Sequence, residues 1–215
     1  MIHRLKKLQR LNLLQQALLG HGSLDEKLKR ITEGVVEIFN ADFCRIWLRR
    51  PADRCEKGCI HAKAKEEGKI CSLREHCLHL VASSGRYTHI DGHHSRMPFG
   101  MYKLGRVAIG EVNKFLTNDV ANDPQIMDHE WARGLGLVSF AGYRLQDTIV
   151  EPIGVLALFS KHPITPEEDV MLEGIAGITG HVIQTMEAQE ALKMERDELA
   201  LFRALLDRSN DAIEV

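Results

Sequence analysis

Ile153-Gly154-Val155-Leu156-Ala157-Leu158-Phe159-Ser160 is apolar at odd and even positions alike. Side chains alternate along a strand, so Ile153, Val155, Ala157 and Phe159 point one way and Gly154, Leu156 and Leu158 the other. A strand that is apolar on both sides belongs in mid-sheet with both faces covered. Gly136–Leu145 alternates too, and Gln146–Pro152 between them reads as a hairpin loop. Further upstream, Ala41–Arg49 predicts a strand with Cys44, Ile46 and Leu48 on one face and Phe43, Arg45 and Trp47 on the other. A second strand is expected over 77–84, with Leu78, Leu80 and Ala82 facing one way. Residues 85–104, rich in Gly, His and Arg and holding Pro98, read as a long loop. A short helix near 105–113, a strand at Lys114–Thr117, a turn-rich Asp119–His129 and a helix around Glu130–Leu135 complete the middle of the chain.

Helices flank this region. Leu8, Leu11, Leu14 and Leu18 recur at helical spacing over residues 2–20. Ser23 and Glu26 form a capping box, in which each side chain satisfies an orphan N–H. Leu24, Leu28, Ile31, Val35 and Ile38 follow it as a one-sided apolar stripe. Thr165-Pro166-Glu167-Glu168 is a cap, a first-turn proline and acidic residues, so it starts a helix. No breaker stops that helix before about residue 208. Ile178, Leu192, Leu199 and Leu206 keep heptad register, while Gln189, Arg196 and Arg203 occupy the other seam. Such a pattern predicts a dimer helix of modest stability. The order of elements predicts an α+β fold: a central antiparallel sheet with helices grouped on one side and a long C-terminal helix.

The 215 residues are 44% hydrophobic and 27% charged, which excludes a mainly disordered chain. A net charge of −2 argues against a dedicated nucleic-acid binder. No apolar run approaches the ~18 residues of a membrane span, and the first residues do not read as a signal peptide. The expected compartment is the cytoplasm, where cysteines serve metal, redox or core roles before disulfides.

Leu104-Gly105-Arg106-Val107-Ala108-Ile109-Gly110, then Asn118-Asp119-Val120, Asp123-Pro124, Ile153–Leu158 and Thr165–Asp169 stand in the order and spacing of GAF domain motifs. The chain from about Ser23 to Glu187 resembles that family, the small-molecule sensory module of bacterial signalling proteins. Gly105 and Gly110 are expected to let the backbone turn tightly around a short helix. Phe202–Ile213 resembles the opening of a PAS domain. The resemblances imply an N-terminal helix (1–22), a GAF domain (23–187) with an insertion at about 50–77, a linker helix (188–208) and a PAS start (209–215). They imply a fragment of a sensor histidine kinase or a cyclic-di-GMP enzyme, itself non-catalytic.

Four of the five cysteines, Cys55, Cys59, Cys71 and Cys77, lie in that insertion. Were residues 55–59 helical, the first two thiols would share a face. Two close pairs separated by a dozen residues suit a four-thiolate site. Zinc would staple a polar insertion that cannot build its own core; an iron–sulfur cluster takes four cysteines as well. Free thiols or disulfides are the metal-free alternative. Lys57, Lys63, Lys65, Lys69 and Arg74 would soften the negative charge, and His61, His76 and His79 are reserve ligands. Cys44, on an apolar strand face, reads as a core residue.

The GAF resemblance implies a ligand cavity beside the signature helix. Arg96, Tyr102 and Lys103 are candidates to meet an anion there, with Trp131, Phe140 and Tyr143 as walls. The sequence supports a regulatory binding module that relays ligand, metal or redox state through the last helix. A homodimer through the N- and C-terminal helices is expected, and changes in packing would bias that helix. Alternatives are a purely structural dimerisation module and a cysteine-based redox enzyme acting on free methionine sulfoxide. The CxxCH haem signature and the bilin-attachment surroundings are absent from the sequence.

Overall fold

The computed structural model describes residues 2–59, 61–62, 71, 73–126, 128–145 and 152–211. Most of the expected hairpin loop at Gln146–Pro152, and Lys63, Lys65 and Lys69 of the insertion, fall outside these residues. The elements in chain order are α1 (Ile2–Leu19), α2 (Leu24–Phe39), β1 (Phe43–Pro51), β2 (His76–Gly85), β3 (Arg96–Pro98), α3 (Tyr102–Ala108), β4 (Lys114–Thr117), α4 (His129–Gly134), β5 (Ser139–Leu145), β6 (Gly154–Ser160) and α5 (Pro166–Asp211). A single 3-10 turn, His93–Ser95, precedes β3. The segment expected as one long loop over 85–104 therefore contains an edge strand, because Cys77, Leu78 and His79 of β2 pair with Pro98, Met97 and Arg96.

The six strands form one antiparallel sheet in the order β3-β2-β1-β6-β5-β4. β1 and β6 lie at its centre, where the two-sided apolar pattern of β6 requires that strand to be. Long helices α1, α2 and α5 cover one face. There Leu11, Leu14 and Leu18 of α1, the α2 stripe, Cys44, Ile46, Leu48, Leu156, Leu158, Leu172 and Ile183 make one apolar cluster. Leu8, expected in the α1 stripe, is instead exposed. Short helices α3 and α4 cover the other face, over Phe43, Trp47, Leu78, Leu80, Phe140 and Val155.

β2 carries a bulge. Ile46 pairs with Ala82 and Trp47 with Leu80, so Val81 has no partner on β1. The extra residue inverts the alternation. Leu78 and Leu80 face α3 and α4, whereas Ala82 faces the long helices. The expectation that all three share a face is corrected by that one residue.

The caps form as their sequences demand. Ser23 and Glu26 exchange both capping-box hydrogen bonds, and Thr165 and Glu168 do the same at α5. The two signature glycines act for different reasons. Gly110 has φ +79, a left-handed conformation that favours glycine. Gly105 is helical, but a Cβ there would sit 2.4 Å from the Pro98 carbonyl oxygen. Asn118 clasps the approach to α5: its amide donates to the Ile164 carbonyl and its side-chain oxygen accepts from the Ile164 N–H, at 3.0 and 2.8 Å.

α5 is one helix of 46 residues. Arg4 and Lys7 of α1 form ion pairs with Glu167 and Glu168 at its start. Every residue from Ala188 to Leu206 is exposed, so the distal part projects from the body.

Candidate functional site

β1 ends at Pro51 beside the start of β2 at His76, and the insertion springs from that edge. The backbone closes on itself locally. Cys59 N–H donates to the Arg54 carbonyl, Cys71 N–H to the His61 carbonyl and Ala52 N–H to the Glu75 carbonyl, each at 3.0 Å. Residues 55–58 form a turn rather than the expected helix, with Gly58 at φ +100. The turn still brings Cys55 and Cys59 to the same place.

Cys55, Cys59, Cys71 and Cys77 all line one cavity of about 20 Å³, together with His61, His76, Arg54, Arg96, Met97 and Pro98. That volume holds about one water or ion. All the cysteines are free thiols. Cys71 is buried, and Cys55, Cys59 and Cys77 are half-buried. Burial, then the neighbouring Cys55 and Cys59, raises the Cys71 pKa. Burial, then Asp53, pushes Cys77 up to about 11. Thiols held protonated are poor nucleophiles and await a cation or base to become ligands.

Among the described residues only Asp53, Cys77 and His79 bring three potential ligand atoms within 4.8 Å of one another; the four thiols line the cavity without closing to that distance. The carboxylate is already engaged: Arg96 donates from Nε and Nη2 to Oδ1 and Oδ2 of Asp53, at 2.9 and 2.6 Å. That bidentate pair holds the Asp53 carboxyl well below the ordinary carboxylate range. His79 Nε2 lies 3.0 Å from the Pro51 carbonyl oxygen. Burial, then the charge of Arg96, lowers its pKa. A cation bound to Asp53 would have to displace the guanidinium, whereas a cluster of thiolates would find Arg54 and Arg96 already in place as counter-charges.

The six residues expected around a ligand cavity are dispersed. Arg96 stands at the thiol cavity, bound to Asp53. Tyr102 opens α3 with φ 53 and packs edge-on against His61, ring centroids 5.7 Å apart. Lys103, Trp131 and Phe140 do lie on the α3–α4 face. Lys103 Nζ sits 4.0 Å from the Phe115 ring centroid and 3.5 Å from the Asp123 carboxylate. Its burial lowers its pKa to about 8. Trp131 Nε1 donates to the Tyr87 hydroxyl at 3.3 Å, and Phe140 packs on Phe115 and Phe159. Tyr143 cannot share a cavity with them. It is three positions from Phe140, so it faces the long helices, where its hydroxyl donates to Asp169 at 2.9 Å.

Sequence reasoning missed Asp53, Arg54 and Arg45. Asp53 and Arg54 directly precede Cys55, and that proximity was a usable signal. The Asp53–Arg96 pair was not legible, because it depends on β2 pairing with β3.

The chain matches the GAF domain family over residues 23–183. Similar solved structures include the GAF domain of a phosphoenolpyruvate-protein phosphotransferase from Coxiella burnetii, 18% identical with a TM-score of 0.62, covering 86% of this chain and 96% of that one. The free methionine-R-sulfoxide reductase of Neisseria meningitidis is 16% identical with a TM-score of 0.59, covering 85% and 91%. A domain of a putative two-component sensor histidine kinase from Sinorhizobium meliloti is 16% identical with a TM-score of 0.52, covering 80% and 99%. At these identities the likeness is one of fold. No curated protein matches the chain.

Proposed function

The chain belongs to the GAF domain family, and on that footing we propose that it is a metal- or redox-responsive sensory module of a bacterial signal-transduction protein. GAF domains are in general non-catalytic sensory modules. The observation that carries the proposal is that Cys55, Cys59, Cys71 and Cys77 all line one small cavity, from which a modest side-chain closure would gather them on an ion. Four thiolates suit zinc in a closed structural site. An iron–sulfur cluster is the second reading of the same donor set, and it would need the cavity to widen beyond the room of one ion. Arg54 and Arg96 on the cavity wall would offset the charge of either.

The strand register supports a relay to α5. Arg50 pairs with Cys77 across β1 and β2. Its Nη1 lies 2.8 Å from the Glu187 carboxylate on α5. Beyond Glu187 the helix is exposed. A change at Cys77 would therefore be felt where α5 leaves the body. The projecting Leu192, Leu199 and Leu206 are 57%, 52% and 49% exposed, and a lone helix of this kind is unstable in water. They support a homodimer through α5, assisted by α1. Lys103, Trp131 and Phe140 mark the α3–α4 face as the side for a small-molecule ligand. The resemblance of Phe202–Ile213 to a PAS opening is the ground for a downstream PAS domain, with a histidine kinase or cyclic-di-GMP enzyme as the parent. Free thiols suit a cytoplasmic module. Among the described residues no helix is long and apolar enough to cross a membrane.

The test is elemental analysis with an absorption spectrum on anaerobically purified protein. One zinc per chain without a visible band is expected, lost in Cys55→Ser and in Cys77→Ser and kept in Asp53→Asn. A visible band with iron and sulfide selects the second reading. A metal-free chain with four titratable thiols in the insertion overturns both.

A further inference from the structure

Arg45 differs from three other arginines of the body. Arg86, Arg96 and Arg106 each hold a carboxylate, from Asp42, Asp53 and Glu111 respectively. Arg45, on the α3–α4 side of β1, is only 8% exposed. Among the described residues no carboxylate pairs with it. Its Nε donates to Ser83 Oγ at 3.3 Å. Its guanidinium lies over the rings of Phe43 and Tyr87, 5.4 and 5.1 Å from their centroids. Cation–π contacts recover part of the cost of burying a charge, but a buried cation without a counter-ion is strongly disfavoured.

The segment after β2 passes over this point. Trp47 Nε1 donates to the His94 carbonyl at 2.9 Å and pins the segment down. Ser83 Oγ donates to the Tyr87 carbonyl at 2.5 Å. His94 is exposed at the rim. Desolvation, then the positive charges of Arg45, His93 and His61, disfavours its protonation. Among the described residues the neighbourhood thus gathers positive charge, and it reaches the surface at His94.

We propose that Arg45, with Ser83, Tyr87 and His94 around it, binds the carboxylate of a small organic acid. A guanidinium offers in-plane donor pairs that match a planar carboxylate bidentately. The proposal rests on the α3–α4 face being the ligand side and is independent of the thiol cavity.

The two tryptophans of the chain, Trp47 and Trp131, both border this place. Their indole N–H signals in a ¹⁵N-labelled sample are therefore direct reporters. Titration with acetate and with succinate should move both signals saturably. Arg45→Met should abolish the movement, and Arg45→Lys should weaken binding at least about tenfold by losing the bidentate pair. Should Arg45→Met fail to fold, His94→Ala, at an exposed position, should still weaken binding several-fold. Movement that survives Arg45→Met overturns the proposal. Movement with inorganic phosphate alone overturns the carboxylate class and leaves the ligand face standing. Indoles that respond to none of these anions overturn both.

Discussion

The helix-covered face of the sheet and the insertion at its β1–β2 edge are held by opposite means. On the covered face Ile46, Leu48, Leu156, Leu158, Leu172 and Ile183 are at most 1% exposed. Each such side chain contributes about 1.5–3 kcal/mol by leaving water. In the insertion, Cys71 is the sole buried hydrophobic residue among those described between Ala52 and Glu75. Its backbone closes through a few hydrogen bonds, and its thiols surround a small cavity. Burial can hold the first region without help. The second has too little apolar surface to offset chain entropy, so a bound ion is what would fix it.

The strongest way to break this contrast is to open a hole in the covered face. Leu156→Ala should cost about 2–5 kcal/mol in urea unfolding, by the same amount with or without a chelator. A chelator-dependent cost would show that the two regions are not separately held.

A smaller effect is expected from removing metal. Chelation should speed proteolytic cleavage within residues 52–75 at least tenfold, following the population of locally opened chain. The urea midpoint of the body should change little. Coincident loss of both would make the thiol site part of the core.

The α3–α4 face is intermediate, apolar but holding a buried cation, and it adds a pH signature. Burial lowers Lys103 to about 8 from its ordinary 10.5. Between those values the unfolded chain keeps a proton that the folded chain has released. Stability therefore rises with pH from about 8 to 10.5 on this account and is flat below 8. Lys103→Met should remove that slope in urea melts across the range.

The smallest effect belongs to the link between the two regions. Glu187→Lys breaks a half-exposed ion pair with Arg50, so global stability should change by about 1 kcal/mol or less. Spin labels on the distal part of α5 should nonetheless report a metal-dependent change in the wild type that the variant lacks. An unchanged metal response would remove Arg50 from the relay.

Much of this fold was legible in local pattern. The α2 stripe, the capping box at Ser23, the helix start at Thr165, the strand Lys114–Thr117 and the central place of β6 follow from periodicity and capping chemistry, which act within a few residues. The bulge at Val81 and the edge strand Arg96–Pro98 were not legible, because each is defined by a partner strand. The candidate site divides in the same way. The four cysteines could be grouped from spacing, whereas Lys103, Trp131 and Phe140 could be put near the signature helix only by resemblance. Tyr143 could have been set apart from Phe140 by strand parity alone.

By itself the sequence determined the α+β class and the helix starts, since side-chain period and caps are properties of neighbouring residues. Tertiary structure alone decided that Arg96 serves Asp53 at the thiol cavity, that Arg50 reaches α5, and that Arg45 meets no carboxylate among the described residues. Those facts depend on charges distant in the chain meeting, or failing to meet, across paired strands.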